Sequence, residues 1–122
     1  MDFVNYSIGK KLQEKGYPHG YNRFGYRPIY SDECTIKYLW DTGAYDEEYY
    51  GENIPCPTIS EVLDWLRKKK KIHIIIPATF NEKYWWEIRD FKRELSDNTA
   101  DVYDSNEQAV LSGIEYVLDN LI

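Results

Sequence analysis

With 122 residues, 43% hydrophobic and 30% charged, the chain has enough length and apolar content for one compact domain and too little for two. A net charge of −6 argues against broad binding of a phosphate backbone, two histidines exclude a multi-histidine metal centre, and two cysteines outside any C-x-x-C make neither a disulfide framework nor a zinc site. No stretch approaches the roughly 20 apolar residues of a membrane span, and the opening MDFVNYSIGKK has no apolar run behind a basic segment, so a cytoplasmic protein with reduced thiols is expected.

The first predicted element is a helix over about residues 3–15. Val4, Ile8 and Leu12 recur every four residues, Asp2 serves as N-cap, Lys10, Lys11 and Lys15 suit the negative C-terminal end, and Gly16 supplies the stop. Pro18, Gly20, Gly25 and Pro28 then forbid a long regular element, leaving room for an edge strand over 24–30, where proline is tolerated. Residues 34–40, CTIKYLW, alternate as a strand. An acidic, turn-rich loop over 41–57 follows, carrying Tyr49 and Tyr50.

The stretch PTISEVLDWLRKKKKIHIIIPATFNEKYWWEIRDF is the best defined. Thr58-x-x-Glu61 is a capping box, Ile59, Val62, Leu63 and Leu66 make the buried face with Trp65 at its margin, and Lys68–Lys71 meet the helix C-terminus. Ile72, Ile74 and Ile76 line one face of a strand, residues 77–83 turn the chain, and 84–91 return with Tyr84, Trp86 and Ile88 on one face. A third short strand fits near 101–104. Ser105-x-x-Gln108 caps a last helix with Val110, Ile114, Val117, Leu118 and Leu121 as its stripe. Gly113 and Ala109 form a small-residue patch that lets this helix lie close on the sheet. The fold class predicted is α+β: one domain over 1–122, an antiparallel sheet with helices on one face, in the order α-β-β-α-β-β-(β)-α.

Charge is segregated: residues 58–93 hold nine Lys/Arg against five Asp/Glu, whereas residues 94–122 hold seven acids and no base. Asp41-Thr42-Gly43-Ala44 resembles the D-T-G of aspartic proteases over four residues only. The chain has three predicted helices and no later apolar-apolar-Gly segment, so turn chemistry explains it. The order of elements over 58–122 resembles that of double-stranded-RNA-binding domains, which place lysines at the start of the last helix. Residues 106–113 here carry Glu107 and no base. Lys68, Lys69, Lys70 and Lys71 remain the only candidate nucleic-acid contact, with a solvated helix end as the plainer account. His73 reads as a structural histidine, Cys34 and Cys56 as packing thiols, and no phosphate loop or cofactor motif is present.

Pro57-Thr58, Asp64-Trp65-Leu66-Arg67, Ile72-His73-Ile74, Trp85-Trp86-Glu87-Ile88 and Gly113-Ile114-Glu115 resemble a group of small proteins carried by phages and integrative elements of Bacteroides-group gut bacteria. The resemblance covers about half the chain, mainly 55–91 and 106–122. It implies a mobile-element origin and no activity. The expectation is therefore a non-enzymatic accessory protein that binds a protein partner through exposed aromatics, with Trp85, Tyr49 and Tyr50 as the anchors. An alternative is an acidic inhibitor whose loop 41–52 and tail 94–119 imitate the phosphates of a nucleic acid before a DNA- or RNA-handling protein. Weak nucleic-acid binding through Lys68–Lys71 is the other alternative.

Overall fold

The computed structural model describes residues 3–18, 25–30, 36–41, 54–99 and 101–122. The chain is α+β, as expected: the described residues form three α-helices and two small antiparallel sheets, and fall into two compact units, Met1–Glu61 and Val62–Ile122. The strands read from the sequence as one sheet form a separate three-stranded sheet in each unit.

In the first unit, helix α1 spans Tyr6–Glu14. Its N-cap is Asn5, not Asp2: Asn5 Oδ1 accepts from Ile8 N at 2.9 Å. The helix starts later than expected because Phe3 and Val4 belong to an extended segment. Phe3 bridges Thr58, and Val4 N donates to Pro57 O at 3.0 Å. Val4, Ile8 and Leu12 are nevertheless all buried, so their spacing of four marked the core face correctly. Gly16, with φ +84°, ends the helix in the left-handed region that glycine enters without cost.

Strands β1 (Gly25–Tyr30), β2 (Ile36–Asp41) and β3 (Ile54–Pro55) lie in the order β2-β1-β3. β1 is thus the middle strand, not an edge. Its proline is tolerated because β3 pairs only with Ile29 and Tyr30, so Pro28 has a ladder on the β2 side alone. The acidic loop expected over 41–57 yields its last residues to structure. Ile54 and Cys56 are buried and, with Tyr30, form a core cluster packed by Phe3 and Tyr6, while 42–53 lie outside the described residues. The Tyr6 ring meets Tyr30 edge-on at 5.7 Å, and Tyr30 Oη donates to Val4 O at 2.5 Å. The cluster is closed by α1 at Gly9.

The capping box at Thr58 is complete. Glu61 Oε1 accepts from Thr58 N and Oγ1 at 3.0 Å each, and Thr58 Oγ1 accepts from Glu61 N at 3.2 Å. Helix α2 (Ile59–Trp65) continues into a π-helical turn, Leu66–Lys70. Trp65, expected at the margin of the helix face, is buried at 3% exposure, while Ile59 and Leu63 are only half-buried. The wide turn ends at Lys71, whose φ of 59° is left-handed and whose backbone N–H closes on Leu66 O.

Strands β4 (Ile72–Ile75), β5 (Glu87–Asp90) and β6 (Leu95–Asn98) form the second sheet in that order. The third strand is earlier than expected because the chain reverses at once after β5. Asp90, 4% exposed, accepts from Lys92 N and Arg93 N at 3.1 Å each, and Glu94 takes the left-handed φ of 56° that closes the turn. Residues 101–104 contribute one bridge, in which Tyr84 and Tyr103 exchange both N–H···O bonds. β5 accordingly begins at Glu87 and not at Tyr84. The pairing Ile72↔Asp90, Ile74↔Ile88 and Ile88↔Asp97 puts these residues on one face.

Helix α3 (Asn106–Asn120), capped by Ser105 Oγ accepting from Gln108 N at 3.1 Å, lies on that face. Val110, Ile114, Val117 and Leu118 are buried as its stripe predicts. The small-residue patch is real: a Cβ on Gly113 would stand 3.2 Å from Ile74 Cγ2 and 3.3 Å from Trp86 Cβ and Cγ. Gly113→Ala sets a helix-propensity gain of about 1 kcal/mol against a mild overlap with two side chains. The two should nearly cancel. Urea unfolding is expected to place this variant within about 1 kcal/mol of the parent.

Candidate functional site

The second unit carries an open hollow of about 470 Å³. One wall is helix α3, which contributes Ser112, Glu115, Tyr116, Asp119 and Asn120. Their spacing of three and four brings them to one side of the helix. The other wall is the end of β6 and the chain beyond it, with Asp97, Asn98, Thr99, Asp101 and Tyr103, and Trp86 closes the base.

These walls are tied together by side chains. Trp86 Nε1 donates to Ser112 Oγ at 3.2 Å, and the hydroxyls of Ser112 and Tyr103 share a bond of 2.7 Å. The Tyr116 ring lies 4.8 Å from Trp86 at 35°, and its hydroxyl donates across the hollow to Asp97 Oδ2. That bond holds the phenol proton and raises the Tyr116 pKa, with desolvation adding to it. Backbone bonds fix the second wall: Thr99 N donates to Trp86 O at 3.2 Å, and Asp101 N to Thr99 Oγ1 at 3.1 Å.

The chemistry of the lining is one-sided. Asp97, Asp101, Glu115 and Asp119 are carboxylic, and no Lys, Arg or His lines the hollow. Such a surface attracts cations and repels phosphate. Among the described residues no group of three His, Cys, Asp or Glu side chains is placed to hold a metal ion, so these carboxylates do not converge on one point. They are spread around a space large enough for a side chain.

Four carboxylates of the acidic tail anticipated from the sequence thus line this hollow, while the acidic loop lies almost wholly outside the described residues. Tyr49 and Tyr50 lie outside them as well, as do Cys34 and Thr42–Ala44. Trp85 is half-buried, its backbone N–H donating to Pro77 O at 3.2 Å. Phe91 is exposed, and among the described residues the most exposed aromatic is Phe80, on a turn held by Thr79 N to Lys83 O at 2.7 Å and Lys83 N to Thr79 Oγ1 at 3.1 Å. An aromatic flanked by Thr79 and Asn81 inside a predicted turn is the signal that would have found it.

The lysines of the run differ in their surroundings. Lys68 and Arg67 both pair with Asp64, at 3.2 and 2.7 Å, Lys70 Nζ lies 5.4 Å over the Trp65 ring, and Lys71 occupies the left-handed cap. Two of its neighbouring charges are thus shared with an acid on the same helix, which weakens it as a phosphate contact. His73 meets Phe91 edge-on at 4.7 Å and does not line the hollow. Buried Cys56 packs in the first unit. Among the described residues no helix is long and apolar enough to cross a membrane.

Compared with protein-family models, curated proteins and solved structures, the chain matches none.

Proposed function

We propose that this chain is a non-enzymatic accessory protein of a phage or integrative element that works by binding another protein, one that presents a basic surface. The observation that carries this reading is the hollow, where four carboxylates and no base line one open concavity. An open, acid-lined surface with aromatic walls suits a macromolecular contact, in which charge steers the encounter and aromatic rings supply the packing. Phe80, fully exposed on its turn, is an aromatic anchor of the kind that dominates such contacts.

Exposed ion pairs are individually weak and screened by salt, so the hollow sets orientation and on-rate more than total affinity. The partner class that fits is a DNA- or RNA-handling protein, whose basic groove would meet carboxylates where it normally meets phosphates. Binding of nucleic acid by the chain itself, through Lys68–Lys71, is the competing reading.

Capture from a host-cell lysate separates them. The wild-type chain is expected to retain a basic protein that elutes as salt is raised, and a bait carrying Asp101→Lys with Glu115→Lys is expected to lose it. Retention of nucleic acid, lost steeply with salt and abolished by charge reversal at Lys68–Lys71, would establish the competing reading. No specific partner on the wild-type bait would remove the main support for the proposal.

A further inference from the structure

We propose that the chain pairs with a second copy of itself, edge to edge through β4, on a two-fold axis at Ile75. The hydrogen bonds around β4 decide which way its backbone groups point. Phe91 N donates to Lys71 O at 3.0 Å and Trp85 N to Pro77 O at 3.2 Å. Bonded and non-bonded pairs alternate in an antiparallel ladder, so His73 and Ile75, opposite Arg89 and Glu87, also turn their N–H and C=O groups to β5. Ile74 and Ile76 turn theirs the other way. Among the described residues these outward groups meet no backbone partner, and β4 is an end strand of its sheet.

The opposite edge is guarded. Thr99 N donates to Trp86 O at 3.2 Å, so the same alternation points Ser96 and Asn98 outward in β6. There the Asn98 N–H is already held by Asp97 Oδ1 at 2.8 Å, and a charge within an edge strand discourages addition of another. β4 has no such guard. Its IHII carries no charge with the histidine neutral, and β-branched residues suit a pleated neighbour.

The strand's own exposure and charge select a second copy as the occupant. Ile72 is 2% exposed, which closes the edge at its start, whereas Ile75 is 42% exposed on the same face as the exposed Phe91. A two-fold axis at Ile75 sets this side chain against Ile75 of the other copy as a non-bonded pair, where side chains lie closest. Ile74 of each copy then exchanges N–H···O bonds with Ile76 of the other, and His73 falls opposite Pro77. No like charges are opposed. The two copies of Lys71 stand about 27 Å apart along the strands, at about 3.4 Å per residue, well beyond the screening length of about 8 Å.

Sedimentation equilibrium of the full chain from about 10 μM to 1 mM reads the state directly. One short strand per copy makes a contact at the small end of specific interfaces, under roughly 1,200 Å², so half-dimerisation is expected at about 100 μM. Over that range amide exchange should slow at Ile74 and Ile76 but not at His73 and Ile75, whose N–H groups are bonded to β5. Ile75→Lys, an exposed change that leaves those bonds in place, sets like charges face to face and should weaken association at least about fivefold. Ile75→Glu should do the same, and mixing the two variants should restore it because unlike charges then oppose. A monomer throughout, association unchanged in Ile75→Lys, no recovery in the mixture, or exchange slowed at Ser96 and Asn98 instead would each overturn the proposal.

Discussion

Replacing Gly9 with alanine is expected to destabilise the protein by about 2 kcal/mol, although helix propensity alone would favour alanine by about 1 kcal/mol. Gly9 lies in α1 where the helix rests on β3. A Cβ there would stand 2.4 Å from the carbonyl oxygen of Pro55 and 2.9 Å from Ile54 Cγ2. Neither distance is tolerable, and the nearer atom belongs to the backbone of a paired strand, which cannot rotate aside as a side chain would. Relief requires α1 to lift from the sheet, which loosens the cluster of Tyr30, Ile54 and Cys56 beneath it. An overpacking cost near the upper end of about 1–3 kcal/mol, less the propensity gain, leaves the net loss. Urea unfolding decides the sign. A gain of stability would mean that α1 does not lie on β3 as described, and the contrast with the near-neutral Gly113→Ala would vanish.

The second large effect is alkaline. The Tyr30 hydroxyl is buried, donates to Val4 O at 2.5 Å and has its pKa pushed up to about 12, chiefly by burial and further by the adjacent Cys56. The folded protein therefore keeps a proton that the unfolded chain releases from about pH 10. Stability from this group is fully present below pH 10 and falls between about pH 10 and 12, by about 2–3 kcal/mol in all. In Tyr30→Phe that dependence disappears. At neutral pH the variant should be less stable by about 1 kcal/mol, because Val4 O loses its donor. Above pH 11 the gap should close and reverse. Unfolding free energies of both proteins from pH 8 to 12 provide the check, since titrations common to both cancel in the difference. A constant difference across that range would show that Tyr30 is not held protonated by the fold.

These two sites also show what can be read from sequence. Caps and stops are local, and Thr58-x-x-Glu61, Ser105 and Gly16 act as their residue types dictate. The core stripe of α3 was legible for the same reason. Val4 misled because a spacing of four looks helical whether the first residue is in the helix or in an extended arm beside it. Asp2 and Asn5 are both competent caps, and only the bridge of Phe3 to Thr58 selects Asn5.

The hollow was not legible as a site, though its acidity was. Its lining comes from Trp86, residues 97–99, Asp101, Tyr103 and one side of α3, which meet because the chain reverses at 91–94. That reversal depends on Asp90 accepting two backbone N–H groups and on Glu94 adopting a left-handed φ. Nothing in the residue types of FKRE announces a four-residue turn. The lysine run had the opposite fate. It is conspicuous in the sequence, but Asp64 engages Lys68 together with Arg67, and Lys70 lies over the Trp65 ring. Of the aromatic anchors expected at Trp85, Tyr49 and Tyr50, Trp85 is half-buried and the two tyrosines lie outside the described residues, while Phe80 is fully exposed.

We propose that the acid-lined hollow, and not the lysine run, meets the partner. Two charge-reversed proteins, Asp101→Lys with Glu115→Lys and Lys69→Glu with Lys70→Glu, test it side by side against the protein retained by the wild-type chain. The expected result is an affinity loss of at least about tenfold for the first and an unchanged or slightly tighter complex for the second. An unchanged complex with the hollow reversed, or one abolished by reversing the lysines, would show that the hollow is not the contact.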